Sequence, residues 1–166
     1  MKDNSVEFNF KQLTKLVRYF KKGFPRVRVG IIGDKAAQEH KNTDGKLTNA
    51  QIGFIHEFGV MTGKNKIPAR SFLDMPLRLH LQDYIDKSET LNGEAFEEAL
   101  ENGELEEYAT QVGIVAERVV QDAFRTSGFG NWAPNRPSTI LRKGSSKPLI
   151  DTGELRRSIS SEVVDD

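Results

Sequence analysis

The amino-acid sequence predicts an α+β fold in a single domain of 166 residues. Apolar residues recur at intervals of three and four in several segments, which is the spacing of amphipathic helices. Residues 26–33 are instead rich in β-branched side chains, the composition of a strand, and a terminal strand is predicted at residues 160–164. Because 37% of the residues are hydrophobic and 29% are charged, we expect a globular protein with a wet surface. No apolar run approaches the roughly 18 residues of a membrane span.

The first predicted helix covers residues 8–22 and ends before Gly23 and Pro25. Its apolar face is formed by Leu13, Leu16, Val17 and Phe20. The strand at 26–33 follows, and the polar residues 34–46 predict a loop that ends in an Asp-Gly turn signal.

The second helix has a complete set of start signals. Thr48 can cap it, Gln51 can complete a capping box, and Leu47 can pack on Ile52. Its expected apolar stripe is formed by Ile52, Ile55 and Phe58. Gly59 then occupies the place where a left-handed C-terminal cap is expected.

Three more helices are predicted in the middle of the chain. Residues 60–70 form a connector, and a helix begins with Asp74 and Pro76 in its first turn. A short helix at 94–101 stops at an Asn-Gly pair. The longest helix then presents Leu105, Ala109, Val112, Ala116, Val119 and Ala123 at steps of three and four.

The C-terminal part is predicted to be an arm, residues 126–166, which becomes ordered in an assembly. Residues 126–148 have no usable period and contain three prolines and three glycines, which predicts a long loop. Asp151 is expected to cap a short helix with Glu154 at its third position, and Ile150 to pack on Leu155.

The net charge of zero conceals a segmented arrangement. Residues 11–28 carry seven bases and no acid, residues 83–107 carry ten acids and one base, and residues 125–147 carry five bases and no acid. Two interpretations stay open. The segments neutralise each other within one monomer, or a basic surface meets the acidic surface of a neighbour or DNA.

The residues do not assemble a recognisable catalytic, metal or cofactor site. The chain has no cysteine and three scattered histidines, and it lacks a phosphate-binding loop. His56-Glu57 resembles the start of a zinc-protease motif, but Val60 stands where the second histidine would be. Trp132 is the one tryptophan, and it is interpreted as a core anchor, an interface residue or a base-stacking platform.

Three ordered segments carry a resemblance to a known family: residues 50–59 (AQIGFIHEFG), 67–73 (IPARSFL) and 147–159 (KPLIDTGELRRSI). With these segments, residues 26–164 resemble the virion morphogenesis proteins of tailed phages, also described as tail-completion, neck or minor tail proteins.

The resemblance implies a small, mostly antiparallel sheet flanked by several helices. It also implies a non-enzymatic structural subunit of the neck or upper tail, located in the virion, which forms a homo-oligomeric ring and acts in tail completion and head–tail joining. Its expected partners are connector, tail tube or terminator proteins, with non-specific contact to DNA in the channel. No cofactor, membrane or small-molecule substrate is expected.

The interface residues expected from these motifs and from the basic loop are His56, Glu57, Arg70, Trp132, Arg136, Arg142, Lys143, Asp151, Thr152, Leu155 and Arg156. A tail terminator and a head–tail adaptor are alternatives within the same class. An alternative of another class is a nucleic-acid-binding module that uses the basic segments 11–28 and 125–147.

Overall fold

The computed structural model describes residues 10–41, 43, 47–62 and 65–164 and confirms the α+β fold. The elements in chain order are α1 (Phe10–Lys22), β1 (Arg26–Ile31), α2 (Asp34–Ala37), α3 (Asn49–Phe58), β2 (Val60–Thr62), β3 (Asn65–Ile67), α4 (Asp74–Asp86), α5 (Gly93–Asn102), α6 (Leu105–Thr126), α7 (Pro137–Lys143), α8 (Glu154–Arg157) and β4 (Ile159–Val164).

Two antiparallel pairs of strands make up the β structure of the described residues. β1 pairs with β4, with Arg26 opposite Val164 and Ile31 opposite Ile159. The predicted terminal strand is therefore confirmed. β2 and β3 form a small hairpin in the segment that the sequence analysis treated as a connector, so that prediction was wrong for residues 60–62 and 65–67.

The main core lies along the second half of α6. Val119, Val120 and Ala123 are fully buried there. Around them pack Phe72, Phe124, Trp132, Leu155 and Ile159. The helix also lies very close to β4, because a Cβ atom on Gly113 would come within 2.7 Å of the Ser161 Oγ.

A smaller cluster joins α1, α5 and the start of α6. It contains Tyr19, Ala99 and Leu105. The Tyr19 hydroxyl donates to the Glu106 carboxylate and to the Gly103 carbonyl, and the Arg18 guanidinium lies 3.5 Å from Glu106. Basic α1 thus packs on the acidic segment, and some of the segregated charge is neutralised within the chain.

Helix α3 begins as the sequence predicts. The Gln51 N–H donates to Thr48 Oγ1 at 3.3 Å, and the Thr48 N–H donates to Gln51 Oε1 at 2.9 Å, which completes the capping box. Gly59 ends the helix as predicted, but its φ of 72° and ψ of 166° are not the left-handed helical conformation, so that detail of the prediction was wrong. The proposed stripe was wrong at Phe58, which is 64% exposed.

Three other local predictions were wrong. The polar loop contains α2, and the long loop at 126–148 contains α7. Asp151 does not cap a helix, because Gly153 has a left-handed backbone and delays the start of α8 to Glu154. The predictions at residues 8–9, 42 and 44–46 lie outside the described residues.

Candidate functional site

The buried carboxylate of Glu57 organises the start of α4. It accepts hydrogen bonds from the N–H groups of Phe72 at 2.8 Å, Leu73 at 3.1 Å and Asp74 at 3.0 Å. The Ser71 hydroxyl donates to the same carboxylate and accepts from the Met75 N–H at 2.9 Å. Since the first N–H groups of a helix have no partner within the helix, Glu57 acts as a cap supplied by a different helix.

Arg70 is also buried and holds the loop that follows α6. Its Nε donates to the Ala133 carbonyl at 2.8 Å and its Nη2 to the Pro134 carbonyl at 3.0 Å. Its backbone N–H donates to the His56 carbonyl at 2.7 Å. Burial lowers the pKa of the Arg70 guanidinium.

Trp132 lies in the core of its own chain. The indole N–H donates to the Ser71 carbonyl at 2.8 Å, and the ring packs edge-on against Phe124 with centroids 5.7 Å apart. Gly128 lies against the indole, because a Cβ atom there would be 2.2 Å from Trp132 Cδ1. Of the three interpretations of Trp132, this geometry favours the core anchor.

In front of these residues opens a cleft of about 850 Å³. Eight of the expected interface residues line it: His56, Arg70, Arg136, Arg142, Lys143, Asp151, Thr152 and Leu155. Glu57 and Trp132 lie behind it in the protein interior. Arg156 lies elsewhere, where its Nε donates to Gln121 Oε1 at 2.6 Å.

His56 lies in this cleft with its Nδ1 atom buried and without a hydrogen-bond partner. Burial, and after it the electrostatic effects of Arg70, His40 and Lys143, together lower the pKa of His56 to about 4. The imidazole is therefore neutral at pH 7.

His40 also lines the cleft, and no pattern in the sequence indicated it there. Its Nδ1 lies 2.6 Å from Asn49 Oδ1, and the buried Asn49 amide donates to the Lys35 carbonyl at 3.1 Å. Glu154 approaches from α8, where its carboxylate accepts from the Lys41 N–H at 3.0 Å. These contacts join residues far apart in sequence, so no local pattern reveals them.

A patch of exposed apolar side chains lies at the end of α3 and in β2; we call it the α3 patch. Phe54 is 65% exposed, Phe58 is 64% exposed and Met61 is 66% exposed. The Phe54 and Phe58 rings are 4.8 Å apart. Side chains of this size are normally buried, so clustered exposure indicates a contact surface.

A second exposed apolar surface, the α1 patch, lies on and just after α1. Its members are Leu13, Val17, Phe20 and Phe24. The Phe20 side chain is 74% exposed, and its ring packs edge-on against Phe24 with centroids 6.1 Å apart. The sequence predicted the apolar spacing of this helix but not that this face would be open to solvent.

The two patches lie near opposite ends of α6. Tyr19 of α1 bonds to Glu106 in the first turn of that helix. Glu57 of α3 instead bonds to the Phe72 N–H, and the Phe72 ring packs on Phe124 near the other end. With 22 residues, α6 is about 33 Å long.

Comparison with protein-family models, with curated proteins and with solved structures gives no match. Among the described helices, none is long and apolar enough to cross a membrane. The described residues also contain no cluster of three or more histidine, aspartate or glutamate side chains arranged to hold a metal ion.

Proposed function

We propose that the chain is a non-enzymatic structural subunit of a tailed-phage neck or upper tail. It assembles into a ring in the virion and acts in tail completion and head–tail joining. The observation that carries this proposal is the pair of exposed apolar patches at opposite ends of α6. The motifs at 50–59, 67–73 and 147–159 supply the assignment to a phage particle.

Two different patches on one chain favour head-to-tail contacts. If the α1 patch of one copy covers the α3 patch of the next, every copy uses both surfaces, and a suitable rotation closes the ring. Each fully covered phenylalanine contributes about 1.5–3 kcal/mol relative to an exposed one. The remaining faces are then free for connector, tail tube or terminator proteins.

The buried polar network supports a structural role for the motif residues. Glu57 accepts hydrogen bonds from backbone N–H groups at the start of α4. Arg70 donates to backbone carbonyls of the loop that contains Trp132. Such contacts fix a rigid shape. A tail terminator or a head–tail adaptor would need the same rigid, ring-forming shape, and both remain alternatives within the proposal.

The test mixes two complementary variants. Phe54→Ser with Phe58→Ser removes both rings of the α3 patch and leaves Met61, and Phe20→Ser weakens the α1 patch. Each protein alone is expected to be monomeric by analytical ultracentrifugation, whereas their mixture is expected to give dimers that grow no further. The wild type is expected to form rings visible by electron microscopy, and to join tail tubes or tail-less heads.

A matched control carries Leu79→Ser and Ile114→Ser, two exposed apolar residues outside the patches. It is expected to assemble as the wild type does. Wild-type protein that stays monomeric at all concentrations and recruits no phage particle would contradict the proposal. Normal rings from the Phe54→Ser, Phe58→Ser protein would contradict it as well.

A further inference from the structure

The cleft in front of Arg70 carries an excess of positive charge. Six basic side chains line it: Lys41, Lys66, Arg70, Arg136, Arg142 and Lys143. Two carboxylates, Asp151 and Glu154, also line it.

Several of these charges are close enough to affect one another. Burial lowers the pKa of Lys143, Asp151 opposes this change, and Arg70 and Arg142 lower the pKa further. Cations that are partly removed from water and face one another raise the free energy of the empty cleft. A bound anion would recover that free energy.

We infer that this cleft binds a phosphate-class anion, supplied by a free polyphosphate or by a nucleic-acid backbone. The side chains of Arg136 and Arg142 are exposed and lie at the cleft. Arg136 Nη2 donates to the Lys66 carbonyl at 3.3 Å, and the remaining guanidinium N–H groups of the two residues suit phosphate oxygens. Lys143 supplies a compact charge, and the hydroxyl groups of Thr139 and Thr152 supply neutral donors. A volume of about 850 Å³ accommodates more than one phosphate group.

The charge balance favours phosphate over a single carboxylate. Asp151 already places one carboxylate among the cations, and four positive charges remain when both acids of the cleft are counted against its six bases. A phosphate monoester carries about −1.5 to −2 at pH 7, so two such groups come close to neutralising the excess, whereas about four phosphodiesters of a nucleic-acid backbone would be needed because each carries one negative charge. This site shares no residue with the two apolar patches, although Met61 of the α3 patch pairs across the hairpin with Lys66 of the cleft. Anion binding is a different property from self-association, and the inference therefore goes beyond the proposed ring.

The experiment measures tripolyphosphate binding to the full chain by isothermal titration calorimetry at low salt. The cleft variant carries Arg136→Gln and Arg142→Gln, both at exposed positions. The matched control carries Arg78→Gln and Arg118→Gln, which remove the same charge from exposed positions on α4 and α6. We expect the cleft variant to lose about tenfold or more in affinity, and the control to change less than about twofold.

Competition then identifies the source of the phosphate. Displacement of tripolyphosphate by duplex DNA, weakening steeply with salt, would assign the cleft to a nucleic-acid backbone. Binding of tripolyphosphate without such displacement would assign it to a free polyphosphate. Equal losses in the two variants, citrate binding as tight as tripolyphosphate, or no binding at low salt would each overturn the inference.

Circular dichroism spectra and thermal unfolding of both variants show whether they are folded. Ring formation is measured on the same proteins without any added anion. Ring formation without binding of tripolyphosphate would contradict the proposed phosphate site but not the proposed ring. A monomer that binds tripolyphosphate would contradict the ring alone.

Discussion

At the scale of single residues, the Glu57 carboxylate stabilises the start of α4. Replacing Glu57 with alanine leaves the N–H groups of Phe72, Leu73 and Asp74 without their acceptor. We expect a loss of about 3–5 kcal/mol in the free energy of unfolding, measured with urea. Glu57→Gln keeps one carbonyl oxygen as an acceptor and is expected to lose less.

Glu97→Ala is the control for this change, because Glu97 is exposed on α5 and its loss is expected to cost within about 0.5 kcal/mol. Equal stabilities of the Glu57→Ala and Glu97→Ala proteins would show that the Glu57 carboxylate does not hold α4.

His56 is expected to make the stability depend on pH. Its pKa in the folded protein is about 4, against 6.5 for the free side chain, so the unfolded chain binds a proton first. Stability from the neutral imidazole is complete above pH 6.5 and is lost as the pH falls toward 4. The full loss is about 3 kcal/mol, from about 1.4 kcal/mol per pH unit.

The measurement compares urea unfolding of wild type and His56→Gln between pH 7.5 and 4. The variant is expected to lose less stability over this interval, since one group that must become charged has been removed. Parallel curves for the two proteins would contradict the buried, neutral His56.

At the scale of elements, the turn after α6 depends on one glycine. Four consecutive residues, Ser127 to Gly130, have positive φ. Gly128→Ala would also place a Cβ atom 2.2 Å from the Trp132 indole, which lies in the core. We expect a loss of about 3 kcal/mol or more in the free energy of unfolding, because the indole must move and its packing on Phe124 is lost.

Gly130→Ala is the matched control for the turn. Gly130 has φ 85°, but a Cβ atom there meets nothing within 4 Å. Its replacement is expected to cost about 1 kcal/mol, the penalty of a positive φ for a residue with a Cβ atom. Thermal unfolding of both variants separates backbone strain from the clash, and equal losses would show that the contact with Trp132 is unimportant.

The elements that the sequence predicts correctly are those with local end signals. The Thr48–Gln51 capping box and the stop at Gly103 require no information from distant residues. β2 and β3 have three residues each, too few to show an alternating pattern. Asp151 and Glu154 have the spacing of a capping box, but Gly153 between them has a left-handed backbone, and the helix starts only at Glu154.

The sequence indicated several residues of the candidate site, but not the contacts that each of them makes. The motif residues His56, Arg70 and Asp151 do meet at one cleft, although they come from three distant segments. Glu57 and Trp132 were expected at an interface, and the structure places both in the interior. The Trp132 indole, for example, bonds to a backbone carbonyl 61 residues away in the sequence. Sequence spacing cannot indicate such a contact.

At the scale of the whole molecule, the two hydrophobic clusters predict unequal local stability. The smaller one contains Tyr19, Ala99 and Leu105, whereas the larger one surrounds the second half of α6. We expect the amides of α1 to exchange with deuterium faster than those of residues 116–124, because fewer buried contacts oppose local opening. Equal protection in native-state hydrogen exchange would show that α1 and α6 open as one unit.

Assembly through the apolar patches would protect α1 together with α3. The rate of exchange in α1 is then expected to fall as the protein concentration rises, while exchange in the second half of α6 changes little. The Phe20→Ser protein provides the control, because its weakened patch removes the concentration dependence.

The pairing of β1 with β4 determines when the fold can be completed during synthesis. β1 leaves the ribosome well before its partner strand β4, because every other described element except α1 is translated between the two strands. Until then the nascent chain keeps an unpaired strand edge, and the face of α6 around Gly113 lacks the Ser161 segment that packs on it. Such contacts between distant segments form slowly, and unpaired edges promote aggregation, so newly made chains depend on the prompt pairing of β4 with β1 once β4 has emerged.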